Sequence, residues 1–432
     1  MQTDDLLQLQ EPVAAAGAIR AVNGFNGRLL TGGDLTRLQE ARRTGDSHLG
    51  LTLGDGVAFG LDVVEHPDLS SAAAPVLRIA PGLALNRLGQ ALRLEHETGV
   101  ALTRRFESPI PATLFEPCNP IAAGTYVAGA GVYVLTIAPA SLPEGRAQSN
   151  GLDPAAVRCN IDATVEALQF RLLPIEPRHY ADLDLGSPQL RNRLAYRCFG
   201  PGVQPARLAD VFGAGPRDDG LLETLRPAPL GDADVPLALL YIAGSAEIRF
   251  IDTWSVRRSP AQRYHDGPLP ALAEPRRIAI GQAMFNQFHA QAANWATPSG
   301  LGAVTARSHC RFLPPVGIIP VPEEAEVGDA RARAFFAGMS HRGPAFINAA
   351  RLEGLIRDSF AYPPVDTTSD ELLWLYRVRE NRMAIELAGG GSAPPRSYLV
   401  FASGHLPYIA DGQYDLGYWD YSNYALARGV TA

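Results

Sequence analysis

The segment Val76-Leu77-Arg78-Ile79-Ala80-Pro81-Gly82-Leu83-Ala84-Leu85 sets the reading of the chain. Val76 to Ala80 is a short apolar run with the composition of a strand, and Pro81-Gly82 turns it. Asn86 to Gln90 makes a second turn, and Ala91 to Leu94 and Val100 to Thr103 read as further short strands. Strands this short, punctuated this often, need a β-rich fold built from small sheets. Upstream, Val57 to Val64 alternates loosely and reads as one more strand, set off by Gly54 and Gly56. Before those glycines, Thr31 or Asp34 can cap a helix on which Leu35, Leu38 and Ala41 or Arg42 lie at helical spacing. Residues 25–106 are therefore expected to be a helix leading into a compact β unit, preceded by an N-terminal arm over 1–24.

The same logic extends downstream. Residues 107–265 read as a β-rich middle domain. Thr125 to Ile137 is rich in β-branched and aromatic residues, and Ala163 to Leu172 alternates in part, as a half-buried strand would. Val235 to Ile242 and Glu247 to Val256 bracket Gly244-Ser245, a hairpin signal. Pro188 to Tyr196 reads as a helix, and the Gly/Pro/Asp-rich stretch 201–231 as a loop insertion. Residues 266–432 mix classes. Ile278 to Trp295 carries an apolar stripe of Ile278, Ala279, Met284, Phe285, Phe288, Ala292 and Trp295, and Phe346 to Phe360 places Leu352, Leu355 and Ile356 on one helical face. Leu372 to Val378 and Tyr398 to Ala402 read as strands, separated by the loop 388–395. The expected class is mixed α+β and β-rich: several small β-sandwich-like modules with a few peripheral helices.

Composition narrows function by exclusion. Hydrophobic residues make up 46% of the 432 and charged residues 19%, enough apolar surface for a folded core and too little charge for a disordered chain. The net charge of −7 and the lack of a basic stripe argue against nucleic acid as a partner. No run of about 18 apolar residues predicts a membrane span. The acidic start MQTDDLLQLQEP is unlike a secretory leader, so synthesis and folding in the cytoplasm are expected. All 38 basic residues are arginine. Without lysine, the usual P-loop, protein kinase, Schiff-base and Ser-x-x-Lys chemistries have no anchor.

Local constellations for chemistry are equally sparse. The nine histidines show no metal-ligand spacing; Tyr264-His265-Asp266 and His309-Cys310 are the only suggestive neighbours, and both read as turn or core residues. Cys118, Cys159, Cys198 and Cys310 are too widely spaced for a zinc ribbon or disulfide framework and read as buried thiols. Gly338-Met339-Ser340-His341-Arg342-Gly343 is one residue too long for a nucleophile elbow and lacks a strong preceding strand. Gly54, Gly56 and Gly60 lead into a strand, so they cannot offer a helix N-terminus to a phosphate. The carboxylate pairs Asp182/Asp184, Asp218/Asp219 and Glu323/Glu324 read as solvated loops, although two carboxylates facing across a cleft would be the signature of a carbohydrate-active hydrolase. No catalytic residue, cofactor or metal is expected. The aromatic tail offers Tyr414, Tyr418, Trp419, Tyr421 and Tyr424, which equally fit a subunit anchor or a core, and less well a sugar-stacking platform.

Several stretches together resemble a known module. Phe25-Asn26-Gly27-Arg28-Leu29-Leu30-Thr31 before an acidic-capped helix, then Gly56 to Val63, then Arg78-Ile79-Ala80-Pro81-Gly82-Leu83-Ala84-Leu85 with Gly89, resemble baseplate-associated, cage-like proteins of phage-tail-like extracellular contractile injection systems. Asn86 departs from that pattern, which usually has Asp there. Val235 to Leu240, Phe250 to Arg258, and Arg311 to Pro315 with Gly317 are similar to large proteins encoded beside such particles. The resemblance covers about two-thirds of the chain in patches. It implies a structural role without catalysis, with baseplate, spike and sheath proteins as partners. It also implies a homo-oligomer set by particle symmetry and incorporation into a particle that can be released from the cell. Phe25 and Arg28, with the tail aromatics, are the interface candidates. A fibre-like receptor- or glycan-binding role, motivated by those aromatics, is the alternative.

Overall fold

The computed structural model describes residues 19, 22–27, 29–71, 75–106, 124–148, 159–200, 220–244, 247–262, 275–297, 300–301, 304–321, 325–347, 349–379 and 397–406. Helix α1 spans Gly32–Leu53. Thr31 is its N-cap and Asp34 the reciprocal partner: Asp34 N–H donates to Thr31 Oγ1 at 3.2 Å, and Thr31 N–H donates to Asp34 Oδ2 at 3.1 Å. This capping box satisfies donors that the first turn would otherwise leave open. The helix runs well past the spaced residues that predicted it and stops at Gly54, where φ is 84°.

Six short strands follow: β1 (Gly56–Gly60), β2 (Val63–Glu65), β3 (Val76–Ile79), β4 (Gly82–Leu85), β5 (Ala91–Leu94) and β6 (Thr98–Ala101). They form two three-stranded antiparallel sheets, β1-β4-β5 and β2-β3-β6. The single strand expected over 57–64 is thus two. The chain breaks at Gly60 and Leu61, both at positive φ, and Leu61 N–H turns aside to Pro81 O. Strand β7 (Thr103–Phe106) pairs with β8 (Gly124–Val127).

Next come the long strands β9 (Gly131–Gln148) and β10 (Cys159–Pro174), then α2 (Leu190–Phe199), a helical turn α3 (Leu221–Thr224), β11 (Val235–Ile242) and β12 (Ile248–Asp252). They make a four-stranded antiparallel sheet in the order β10-β9-β11-β12. The stretch expected as one strand to Ile137 is interrupted between β8 and β9, and β9 continues to Gln148. The β11–β12 hairpin forms as expected. Its second strand ends at Asp252 instead of Val256 because the Asp252 side chain accepts Ser255 N–H at 3.0 Å and caps a helical turn, α4 (Thr253–Val256).

The remaining elements are α5 (Pro275–Ala292), β13 (Ala296–Thr297), β14 (Gly300–Leu301), α6 (Ala306–His309), β15 (Phe312–Leu313), β16 (Val316–Val321), α7 (Ala325–Phe335), β17 (His341–Phe346), α8 (Ala349–Ser359), β18 (Val365–Asp366), β19 (Leu373–Arg379) and β20 (Ser397–Ser403). A second four-stranded sheet has the order β16-β20-β19-β17. Its β17–β19 pair is parallel, and α8 lies in the connection between them. Two expectations shift here. Phe346 belongs to β17, not to the helix after it, and Ile278 on α5 faces out at 43% exposure.

Each large sheet buries both faces. One face of the first, through Tyr133, Leu135, Ile137, Leu240 and Ile242, packs on Val57, Leu61, Val63, Leu77 and Ile79 of the small sheets and the turn between them. Its other face, through Val132, Val134, Leu173 and Leu239, packs on Leu190, Leu194 and Cys198 of α2. In the second sheet Leu373, Leu375, Leu399 and Phe401 meet Phe288, Phe335 and Phe336, while Tyr376, Val400 and Ala402 meet α8. The alternation along β19 and β20 is the period of two that a pleated strand imposes. The fold is mixed α+β and β-rich, in several small sheets, as the sequence predicts.

Candidate interaction surface

Helix α1 is inverted relative to an ordinary surface helix. At 100° per residue, Leu35, Leu38, Leu49 and Leu53 fall on one side, and all four are exposed, Leu49 by 67%. Exposed Arg42 and Asp46 lie on the same stripe, 3.8 Å apart. The side turned to the protein carries half-buried Ala41, Thr44 and Ser47 and buried Gly50, with Leu51 among them and exposed. Gly50 sits directly on the β4–β5 turn, where a Cβ would come within 2.0 Å of Gly89 O. The helix is therefore held by its glycine side and offers its leucines to solvent. Phe25 (68% exposed), Leu29 and Leu30 lead into the helix and are also exposed.

The turn beneath α1 is organised by Asn86, which is buried. Its Oδ1 accepts Leu88 N–H at 3.0 Å and Gln90 N–H at 2.9 Å, and its Nδ2 donates to Gln90 Oε1 at 2.8 Å and Ala233 O at 3.3 Å. An aspartate could make the first two bonds but not the last two. The departure from the familiar motif is thus tied to a carbonyl in the neighbouring segment.

A second exposed apolar feature is the β9–β10 hairpin. The two strands pair continuously from Tyr133↔Pro174 to Gln148↔Cys159. Strand β11 accompanies β9 only as far as Ile137. Residues 138–148 of β9 therefore continue as a two-stranded arm, about 36 Å at the rise of an antiparallel strand; among the described residues no further strand pairs with it. The period of two sorts its side chains. Ala140↔Ala167, Leu142↔Val165, Glu144↔Ala163 and Arg146↔Ile161 are register positions of one face, while Ser141↔Glu166 and Pro143↔Thr164 belong to the other. Leu142 and Ile161 are 60% and 61% exposed. The half-buried strand expected at 163–172 is thus half-buried only in its inner part. On the polar face, Glu166 accepts Arg43 Nη2 of α1 at 3.0 Å, so the arm passes beside its own helix with its apolar face turned away.

The charged interior joins distant elements of the fold. Arg87, on the turn under α1, reaches Asp55 at 3.7 Å, Asp232 at 3.7 Å and Glu223. Arg276 at the start of α5 reaches Asp55 at 3.2 Å. The cavity among these side chains is about 20 Å³, room for one water and far below the several hundred cubic ångströms of a ligand pocket. Asp252 is a second joint: fully buried, it accepts from Arg191 Nε at 2.6 Å and Gln287 Nε2 at 3.0 Å, tying α2 to α5.

Several of the residues singled out in the sequence have local partners in the described structure. Ser340 precedes strand β17 in place of following a strand, and helix α7 lies upstream. Asp182 accepts from Arg197, whose guanidinium holds the carboxyl below its ordinary value, and Asp184 caps Gly186 N–H at 2.9 Å. His309 stacks near Trp295, with ring centroids 5.2 Å apart. Among the described residues no three His, Cys, Asp or Glu side chains are grouped to hold a metal, and no helix is long and apolar enough to cross a membrane. Asp218/Asp219, Glu323/Glu324, Tyr264-His265-Asp266, Cys118, Arg28 and the aromatics Tyr414, Tyr418, Trp419, Tyr421 and Tyr424 lie outside the described residues or have side chains outside them.

Of the interface candidates, the structure thus locates Phe25 at the foot of an exposed apolar helix. The four leucines of α1 and the arm were not singled out as an interface in the sequence. A signal for the arm was present: Ile161, Ala163, Val165 and Ala167 alternate strictly with Asp162, Thr164 and Glu166. No protein-family model matches the chain, and no curated sequence matches it.

Proposed function

We propose that this chain is a structural subunit of a contractile injection particle, acting at or around the baseplate through protein–protein interfaces and not through catalysis. The observation that carries the reading is the outward leucine stripe of α1, which directly follows the Phe25-to-Thr31 segment that resembles baseplate-associated proteins. A helix that exposes Leu35, Leu38, Leu49 and Leu53 while packing on its glycine side costs solubility unless a partner covers it. The small size of the charged cavity and the local roles of Asp182 and Asp184 favour the same reading over hydrolysis.

The test is composition of the particle. Sheath-containing particles isolated from the host are expected to contain this chain in fixed ratio to the sheath protein, measured by quantitative mass spectrometry. Particles that assemble fully without it, or fractions in which it never co-sediments with sheath, would overturn the proposal.

A further inference from the structure

We propose that Asn23 and Asn26 are sites of spontaneous deamidation, each through a cyclic imide closed by the backbone nitrogen of the glycine that follows. This goes beyond the particle reading and does not rest on it, because it concerns only the covalent chemistry of this chain.

The sequence places two Asn-Gly pairs side by side, Asn23-Gly24 and Asn26-Gly27, ahead of α1. All four residues are exposed. Ring closure needs the side-chain amide carbon to swing onto the next backbone nitrogen. A glycine at that position leaves the approach open and lets the backbone rotate to meet it. Here the approach is open in fact as well as in principle: a Cβ built on Gly24 or Gly27 would meet no atom within 4 Å. Gly27 lies in a turn at φ 88°, a conformation that glycine adopts without strain. A third pair, Asn150-Gly151, lies outside the described residues.

The other well-placed asparagines show the opposite arrangement. Asn86 and Asn192 are buried, at 2% and 1% exposure, and neither precedes a glycine. Asn86 is held by the four hydrogen bonds given above. Asn192, on α2, donates from Nδ2 to Phe312 O at 2.9 Å, and its Oδ1 accepts Arg311 N–H at 2.8 Å and Phe312 N–H at 3.0 Å. Turning either amide towards its own backbone breaks these bonds, at about 1 kcal/mol each.

The step balances with water alone. The Gly27 nitrogen gives up its proton and bonds to Cγ of Asn26, the Cγ–Nδ2 bond breaks, and ammonia leaves. Water then opens the five-membered imide. Attack at Cγ restores the main chain and yields aspartate. Attack at the backbone carbonyl breaks the original peptide bond and yields isoaspartate, whose chain runs through the side-chain carbon. Asn23 reacts with Gly24 in the same way. Each event places a carboxylate beside exposed Phe25, and the isoaspartate product also adds a methylene to the backbone there.

The test incubates the folded full chain in ¹⁸O-labelled water at pH 8 and at pH 5, followed by digestion with trypsin and mass spectrometry. Cleavage after Arg20 and Arg28 releases both sites in one peptide, 21–28. That peptide is expected to gain one and then two solvent oxygens, faster at pH 8 because the attacking nitrogen must lose its proton. Peptides with Asn86 and Asn192 should convert at least about tenfold more slowly, a barrier difference of about 1.4 kcal/mol. Each site should give both aspartate and isoaspartate, separated by chromatography and electron-transfer fragmentation. Asn23→Gln with Asn26→Gln should keep the wild-type melting temperature, since both side chains are exposed, and lose the label from 21–28. A native chain in which 21–28 stays unlabelled while the same synthetic peptide converts would overturn the proposal. Equal rates at Asn86 and Asn192 would do so too, and aspartate without isoaspartate would rule out the imide route.

Discussion

Gly50 of α1 and Gly89 of the β4–β5 turn are in backbone contact: a Cβ on Gly50 would stand 2.0 Å from Gly89 O, and one on Gly89 would stand 2.0 Å from Ser47 O. This contact fixes which side of α1 faces the protein and so which side faces out. Gly50→Ala should lower stability by about 1–3 kcal/mol in denaturant titrations, since backbone must move. Gly45→Ala on the same helix has nothing within 4 Å and should be neutral or stabilising by up to about 1 kcal/mol. Equal effects at the two positions would show that the contact is not the reason for the helix's orientation.

Asn86→Asp should destabilise by about 1–3 kcal/mol near neutral pH, despite conserving shape. It removes the donors to Gln90 Oε1 and Ala233 O and buries a carboxylate beside two acceptors. Thermal unfolding at pH 7 and at pH 4 separates the causes: the loss should shrink at the lower pH, where a protonated carboxyl regains one donor.

Asp252→Ala should cost about 3–5 kcal/mol, because Arg191 and Gln287 then lose a buried acceptor. Urea unfolding should show the loss as a lower midpoint. An unchanged midpoint would mean that the α2–α5 joint does not rest on this carboxylate.

His289 lies at the back of α5, its Nε2 3.1 Å from both the N–H and the carbonyl oxygen of Ile318. Burial lowers its pKa below the ordinary 6.5, so the folded state resists protonation that the unfolded chain accepts. Stability from this group is therefore full above about pH 6.5 and falls as pH drops through that value towards the folded pKa. Exposed carboxylates aside, His289→Gln should flatten the slope of stability against pH in this window; a slope identical to wild type would assign it elsewhere.

Cys198 and Cys310 are fully buried, and burial raises both thiol pKa values, that of Cys198 to about 12. Neither should be alkylated by iodoacetamide in the native chain at pH 8, whereas both should react in urea, as read from the peptides that contain them. Native labelling of Cys198 would contradict its packing against α2's neighbours.

How much of this was legible beforehand differs by element. Helix α1 was readable from Thr31 and Asp34, because a capping box is a local hydrogen-bond exchange within four residues. Its end at Gly54 was equally local. The hairpin β11–β12 and the stripe of α5 were also legible, apart from Ile278. Helix α7 and strand β17 were not: Ala325–Phe335 has no cap signal, and β17 is a strand because β19 runs parallel beside it, a partner some thirty residues away in sequence. The break at Gly60 and Leu61 was missed for a similar reason, since Leu61 adopts its positive φ to reach Pro81 O and bury its side chain.

Composition and local pattern fixed the mixed, β-rich class, the helix caps and the absence of lysine-based chemistry, because each depends on residues near one another or on a count. Orientation lay beyond them. Leu35 and Leu38 have the spacing of a core-facing stripe, and only the contact of Gly50 with Gly89 turns that stripe outward. The alternation of Ile161, Ala163 and Val165 likewise reads as a half-buried strand, but β11 begins only at Val235 opposite Ile137, and beyond that point no described strand accompanies the hairpin. Periodicity says that a face exists; what covers it is set by segments distant in sequence, and among the described residues both faces stay exposed.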